Sequence, residues 1–119
     1  MKVIAYYERG WFDSEVTDFR MWDHLCRAYG VELQMINDWS EAVIPQSSTI
    51  YLMDEEGNEM LDDHEFDHSG VYVFGRTGMR LPLSIPNYNY IIRIPTPNNI
   101  CLFGIVSAAV LLGAKWQSL

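Results

Sequence analysis

The sequence predicts an α/β domain with a mostly parallel sheet of five to six strands flanked by helices. Three observations carry this expectation. Short runs rich in β-branched and aromatic residues recur along the chain, each bounded by turn-forming residues. A helical stretch or a long crossover separates them, which sets successive strands parallel rather than in hairpins. At 119 residues and 49% apolar composition the chain can bury a sizeable core. No linker, repeat or low-complexity tract divides it, so residues 1–119 are read as one domain.

Lys2–Tyr7 (KVIAYY) is β-rich and mostly apolar, as a buried first strand should be. Gly10–Ser14 reads as a loop, with Asp13 or Ser14 as helix N-cap and Glu15 and Asp18 in the first turn. Val16, Phe19, Trp22, Leu25, Cys26 and Tyr29 recur at three- and four-residue spacings, an amphipathic helix that Gly30 ends. Val31–Ile36 is a second strand. A loop with a short helical turn at Ser40–Val43 follows, stopped by Pro45. Thr49–Met53 is a third strand, and Glu59–Phe66 has the composition of a short helix. Val71–Phe74 and Tyr88–Ile94 are the fourth and fifth strands, and Ile100–Trp116 is a closing helix.

Composition removes several classes of function. The start, MKVIAYYERGWF, carries one Lys and a short apolar run before Glu8 and Arg9, and reads as a strand rather than a signal peptide. The apolar stretch Ile100–Ala114 is shorter than the ~20 residues a membrane span needs. Net charge is −8, and eight of the 16 acidic residues fall within Asp54–Asp67. An acidic chain repels phosphate backbones, yet the remaining acids only equal the eight bases, which leaves room for a local basic face. Cys26 and Cys101 show no metal-ligand spacing and are expected as reduced thiols of a cytoplasmic protein. His64 and His68, with Asp62, Asp63 and Asp67, lack tight ligand spacing, so the acidic segment is read as solvated and no metal site is expected.

The final third holds the chemistry. Phe74-Gly75-Arg76-Thr77-Gly78 places glycines just past a strand, where backbone can approach a ligand. Met79-Arg80-Leu81-Pro82 follows instead of a helix, which argues against a Rossmann dinucleotide loop. Ile94-Pro95-Thr96-Pro97-Asn98-Asn99 is a stiff strand-to-helix loop with unpaired carbonyls and Asn side chains. Asp54 and Glu55 end the third strand, where a ribose or amine would meet them. Arg76 and Arg80 flank the same region and suit a substrate phosphate.

In this order the blocks resemble the SPOUT (SpoU/TrmD-type) superfamily of S-adenosylmethionine-dependent RNA methyltransferases. The blocks F-G-x-E-x-x-G-L and I-P-M…S-L-N-x-S-x-A of its SpoU branch look like Phe74–Leu81 and Ile94-Pro95 with Cys101–Ser107. Ala28-Tyr29-Gly30 is similar to the end of the family's first helix. The resemblance implies a trefoil-knotted C-terminal end, S-adenosylmethionine as cofactor, an RNA substrate, and a homodimer packed through the first and last helices. It implies a cofactor held by backbone groups of Met53, Phe74, Gly75, Gly78, Ile94, Leu102 and Ile105, with Arg20 or Arg76 as catalytic residue. A helix apolar on every face must also be buried on every face, which fits Ile100–Ala114 as knot and interface material. The chain departs from the pattern where chemistry would sit: the family's Glu is Thr77, its Asn is Phe103, and the first helix lacks the N-x-G-N-x-x-x-x-x-R pattern. The alternatives are a SPOUT-shaped binding protein without catalysis, and an unrelated α/β protein whose acidic segment docks a basic partner.

Overall fold

The computed structural model describes residues 1–7, 14–61, 67–76, 78–98, 100, 102 and 104–117. Among the described residues, six strands and two α-helices follow in the order β1 (Lys2–Tyr6), α1 (Ser14–Tyr29), β2 (Glu32–Ile36), β3 (Ile50–Met53), β4 (Glu59–Met60), β5 (Val71–Phe74), β6 (Tyr90–Arg93) and α2 (Gly104–Gln117). The strands form one sheet in the order β2-β1-β5-β3-β6-β4, and every neighbouring pair is parallel.

The three central strands read KVIAY, IYLM and VYVF, and each of their residues is buried. Such unbroken runs are what a parallel sheet covered on both faces requires. Alternation along each strand divides the core in two. Val3, Ala5, Tyr51, Met53, Tyr72 and Phe74 face Trp22 and Cys26 of α1 and Ala108 and Leu111 of α2. Ile4, Tyr6, Leu52, Val71 and Val73 face Leu81, Ile85, Trp39, Ala42 and Ile44, which belong to loops and single 3-10 turns.

Local signals explain the element ends. The Gly30 N–H bonds the Arg27 carbonyl and the Val31 N–H that of Cys26, with Gly30 at φ 65°, the paired closure that stops α1. The turn expected at Ser40–Val43 forms at Trp39–Glu41, because Asp38 is its cap. Asp38 accepts from the Ser40 N–H at 3.0 Å while Glu41 accepts from the Asp38 N–H at 2.7 Å. Cys26 is a buried free thiol, and burial first, then the charge of Asp23, pushes its pKa up to about 11.

Two expectations are corrected. Where a short helix was expected from Glu59, the chain instead forms the edge strand β4; residues 62–66 lie outside the described residues. The cause is a tight turn after β3. The Asp54 carbonyl accepts from the Gly57 N–H at 3.1 Å, and its carboxylate accepts from the Glu56 N–H at 3.2 Å. The turn carries the chain across β6, so that Met53 and Glu59 both register with Ile92 from opposite sides. Only glycine fits at the crossing: a Cβ on Gly57 would lie 2.8 Å from the Arg93 nitrogen and the Ile92 carbonyl carbon.

The second correction concerns the closing helix. It starts at Gly104, after a loop in which the Thr96 hydroxyl donates to the Ile100 carbonyl and accepts from the Ile100 N–H. Nor is it buried on every face within this chain. Ala108, Leu111 and Leu112 are buried, whereas Val106 and Val110 are 43% and 42% exposed. Among the described residues no helix is long and apolar enough to cross a membrane.

Candidate functional site

A cleft of about 520 Å³ opens at the C-terminal ends of β3, β5 and β6. Its walls are Met53–Glu56, Phe74–Arg76, Gly78–Leu81 and Ile92–Thr96, with Ile100, Leu102, Gly104 and Ser107 closing the side toward α2. Parallel α/β sheets place ligands here because loops diverge past the carboxyl ends of the strands and leave a crevice. The volume is that of a small-molecule pocket.

The wall that follows β5 is built by close packing. A Cβ on Gly104 would lie 2.9 Å from the Gly75 carbonyl oxygen, so the start of α2 rests directly on this wall. Leu81 is buried beneath, within 3.3 Å of where a Gly75 side chain would begin. The Trp22 ring meets Phe74 at 5.4 Å between centroids and braces the same corner from α1.

The wall that follows β3 is charged. The Asp54 side chain is only 4% exposed and receives Arg80 Nη2 at 3.2 Å, while Arg80 Nη1 reaches Glu56 at 2.6 Å. These bonds hold the Glu56 carboxyl below its usual range, through the hydrogen bond first and the guanidinium charge second. Arg80 is correspondingly held more firmly protonated, chiefly by its hydrogen bond to Glu56. One ion-pair group thus joins the loop after β5 to the loop after β3.

Two further arginines line the cleft without a carboxylate within ion-pair distance among the described residues. The Arg76 guanidinium sits 5.8 Å over the Tyr6 ring. Arg93 places Nη2 at 3.5 Å from the Met60 sulfur. Arg76 Nη1, Arg80 Nε and Arg93 Nε are buried without a hydrogen-bond partner among the described residues. Tyr6 beside Arg76 has its pKa raised, by burial first and by Asp38 second, against the lowering influence of Arg76.

The residues singled out in the sequence divide cleanly. Met53, Phe74, Gly75, Arg76, Gly78, Ile94 and Leu102 line the cleft. Ile105 lies outside its lining and packs against the helix-side core, and Arg20 is exposed on α1, also outside the lining. Asp54, Glu55 and Arg80, weighed on position alone, line it too. Thr77, Cys101 and Phe103 fall outside the described residues, as do Asp62, Asp63 and His64 of the acidic segment. Glu56 and Arg93 were missed, while Thr96 and Gly104 fell within segments singled out without being named for a role. Arg93 carried a usable signal, a charge inside the otherwise apolar strand YIIRI that must find a reason to be there. Glu56 carried none, since a carboxylate within an acidic run looks solvated.

No family model matches the sequence, and no curated protein does. Solved structures do. A protein studied for the 2-OH methylation of C/U34 on tRNA superimposes with a TM-score of 0.74 at 11% identity, over 98% of this chain and 88% of that one. A structure from Porphyromonas gingivalis, described as a candidate RNA methyltransferase of the TrmH family, superimposes with a TM-score of 0.67 at 10% identity. That match covers 94% of this chain but only 57% of the other. At such identities the likeness concerns the backbone: this chain shares the mostly parallel α/β fold of these two structures.

Proposed function

We propose that the chain is an S-adenosylmethionine-dependent methyltransferase acting on RNA. The observation that carries this reading is the coincidence of two independent results. The fold is that of RNA methyltransferases, and the chain's cleft lies at the strand ends where the F-G and I-P blocks were found. The residues fit the cofactor. Asp54, Glu55 and Glu56 supply acceptors and negative charge for an ammonium and a sulfonium. Gly75 and Gly104 let the start of α2 close tightly against the β5 wall and give the cleft a firm side.

Bound S-adenosylmethionine would supply an electrophilic methyl group. The chain's own contribution is positioning: backbone groups of Met53, Phe74, Gly75, Gly78, Ile94 and Leu102 hold the cofactor, and Ile105 supports the start of α2. Arg76, at the lip, orients the acceptor. A catalytic role for Arg20, exposed on α1, requires the neighbouring subunit of a dimer. The dimer proposed is packed through α1 and α2, whose Phe19 (38% exposed), Met21 (48%), Val106 (43%) and Val110 (42%) leave apolar surface exposed. The C-terminal end is proposed to be knotted as in SPOUT proteins, and the location cytoplasmic.

A second reading is favoured by one feature. Where the family block has glycine, Arg80 joins the two walls, and Thr77 replaces the block's Glu. On that reading the cleft binds its ligand without transferring methyl. Titration calorimetry with S-adenosylmethionine, followed by transfer of a tritiated methyl group to bulk tRNA, separates them. Heat with transfer supports the enzyme, and heat without transfer supports the binding protein. Absence of both heat and thermal stabilisation at saturating cofactor would sink the cofactor assignment; ligand at 100 times Kd should add about 2.7 kcal/mol to stability.

A further inference from the structure

We infer that Arg76 and Arg93 form the two ends of a phosphodiester track along the C-terminal edge of the sheet, on which a single RNA strand lies across the cleft. This rests on the RNA reading above and adds the residues that grip the backbone.

The starting point is an imbalance in a chain of net charge −8. Lys2, Arg27 and Arg80 each have a carboxylate partner, Glu32, Asp23, and Asp54 with Glu56 respectively. Arg76 and Arg93 have none among the described residues, and both line the one cleft just described. Each also has a guanidinium nitrogen that is buried and without a hydrogen-bond partner among the described residues. A buried donor left unbonded is costly, and in a ligand site it is the ligand that satisfies it. Guanidinium donors select oxyanions.

Sheet order decides which oxyanion. Arg76 follows β5 and Arg93 ends β6, with β3 between them. At the usual strand spacing their backbones are about 10 Å apart. Their heads diverge further, Arg76 toward Tyr6 on β1 and Arg93 toward Met60 on β4. A single carboxylate, such as the one the cofactor carries, cannot meet both. A chain with negative charge repeated along its length can. Between the two poles lie Asp54, Glu55 and Glu56, with Arg80 offsetting part of their charge, so the centre favours a cationic group and the ends an anionic one. The pattern matches a cofactor seated in the middle beneath a strand held at its phosphates. It also explains how an acidic protein binds RNA: the attraction is confined to two points.

The test measures the salt dependence of binding by fluorescence anisotropy. The probe is a labelled single-stranded oligouridine of about 12 nucleotides, and the proteins are wild type, Arg76→Gln, Arg93→Gln, the double variant and Arg27→Gln. Each cleft substitution should lower the slope of log K against log salt by about 0.7, the double variant by about 1.4, with binding roughly 3- to 10-fold weaker per site near 0.1 M salt. Arg27→Gln, an exposed arginine paired with Asp23 on α1, should leave the slope unchanged. Calorimetry with S-adenosylhomocysteine should find the same affinity in every variant, which shows that the fold is intact.

Slopes unchanged in the cleft variants, or lowered as much by Arg27→Gln, overturn the track. So does a loss of S-adenosylhomocysteine affinity with no change in slope, which assigns the arginines to the cofactor's carboxylate. Wild type that binds the cofactor but no oligonucleotide overturns the track and leaves the cofactor site standing. Wild type that binds neither overturns both readings.

Discussion

The two walls of the cleft come from equivalent places, the ends of the adjacent parallel strands β5 and β3, yet different forces shape them. The β5 wall is fixed by contact. Gly75, Leu81 and Gly104 approach so closely that no side chain can be added between backbone and helix. The β3 wall is fixed by contact only at its base, where Gly57 crosses β6, and by charge at its lip, where Arg80 holds Asp54 and Glu56. Close packing is short-ranged and indifferent to salt and pH, whereas ion pairs respond to both. The shape of the cleft should therefore be set by one wall and its opening adjusted at the other.

The strongest way to break this contrast is at the crossing. In Gly57→Ala the new methyl carbon meets the backbone of Ile91, Ile92 and Arg93 at 2.8–2.9 Å, and backbone inside a sheet cannot yield as a side chain would. The expected cost is about 2–3 kcal/mol by denaturant unfolding, with β4 released from β6. Gly104→Ala should cost less, about 1–2 kcal/mol, because alanine's better helix propensity offsets part of the clash with the Gly75 carbonyl. Both costs should be the same at low and high salt. A salt-dependent loss in Gly104→Ala would show that the β5 wall is not purely steric.

Arg80→Gln probes the other wall. It leaves the buried Asp54 carboxylate with the Glu56 N–H as its remaining hydrogen-bond donor among the described residues. The melting temperature should fall by a few degrees at low ionic strength and by less at 1 M salt, where a partly exposed pair is screened. If S-adenosylmethionine binds between these walls, the same variant should change its association rate more than Gly104→Ala does, since only the lip has been altered. Equal effects in stopped-flow binding would mean that the lip does not gate the cleft.

The two walls also differed in how far they could be read from the sequence. The β5 wall was legible because glycines after an apolar strand, followed by Leu81-Pro82, leave few conformations open to the chain. Strands β1, β3 and β5 were legible for a related reason: burial on both faces forces an unbroken apolar run. The β3 wall was legible only as far as Met53, Asp54 and Glu55, and not in the turn that follows. Glu59–Phe66 has helix-forming composition, and nothing local shows that Asp54 turns the chain over β6 and makes Glu59–Met60 an edge strand. That outcome depends on a glycine meeting a strand more than 30 residues later, a tertiary constraint that overrides propensity. The start of α2 was misplaced for the opposite reason: Ile100–Phe103 is apolar enough to extend the helix, but Thr96 binds Ile100 into the preceding loop. Arg76 was legible alone, but not its relation to Arg93, because only the sheet order sets the two on either side of β3.

The smallest expected effect tests the lip by pH. The Glu56 carboxyl is held below its ordinary value of 4.5 by the hydrogen bond from Arg80 and then by its charge. A carboxyl whose pKa is lowered on folding adds stability above its unfolded pKa and loses it as pH falls through the folded one. Between pH 7 and about 5 the contribution of Glu56 should therefore be constant, and below 4.5 it should shrink. Because the group is exposed, the difference in melting temperature between wild type and Glu56→Gln should be small throughout. Its form is what matters: a gap that is steady near neutrality and closes on acidification places the Glu56–Arg80 bond in the folded state. Gly104→Ala, measured over the same range, should show a gap that does not close. Parallel curves for the two variants would reduce the β3 lip to a surface ion pair with no hold on the loop, and the contrast between the walls would rest on Gly57 alone.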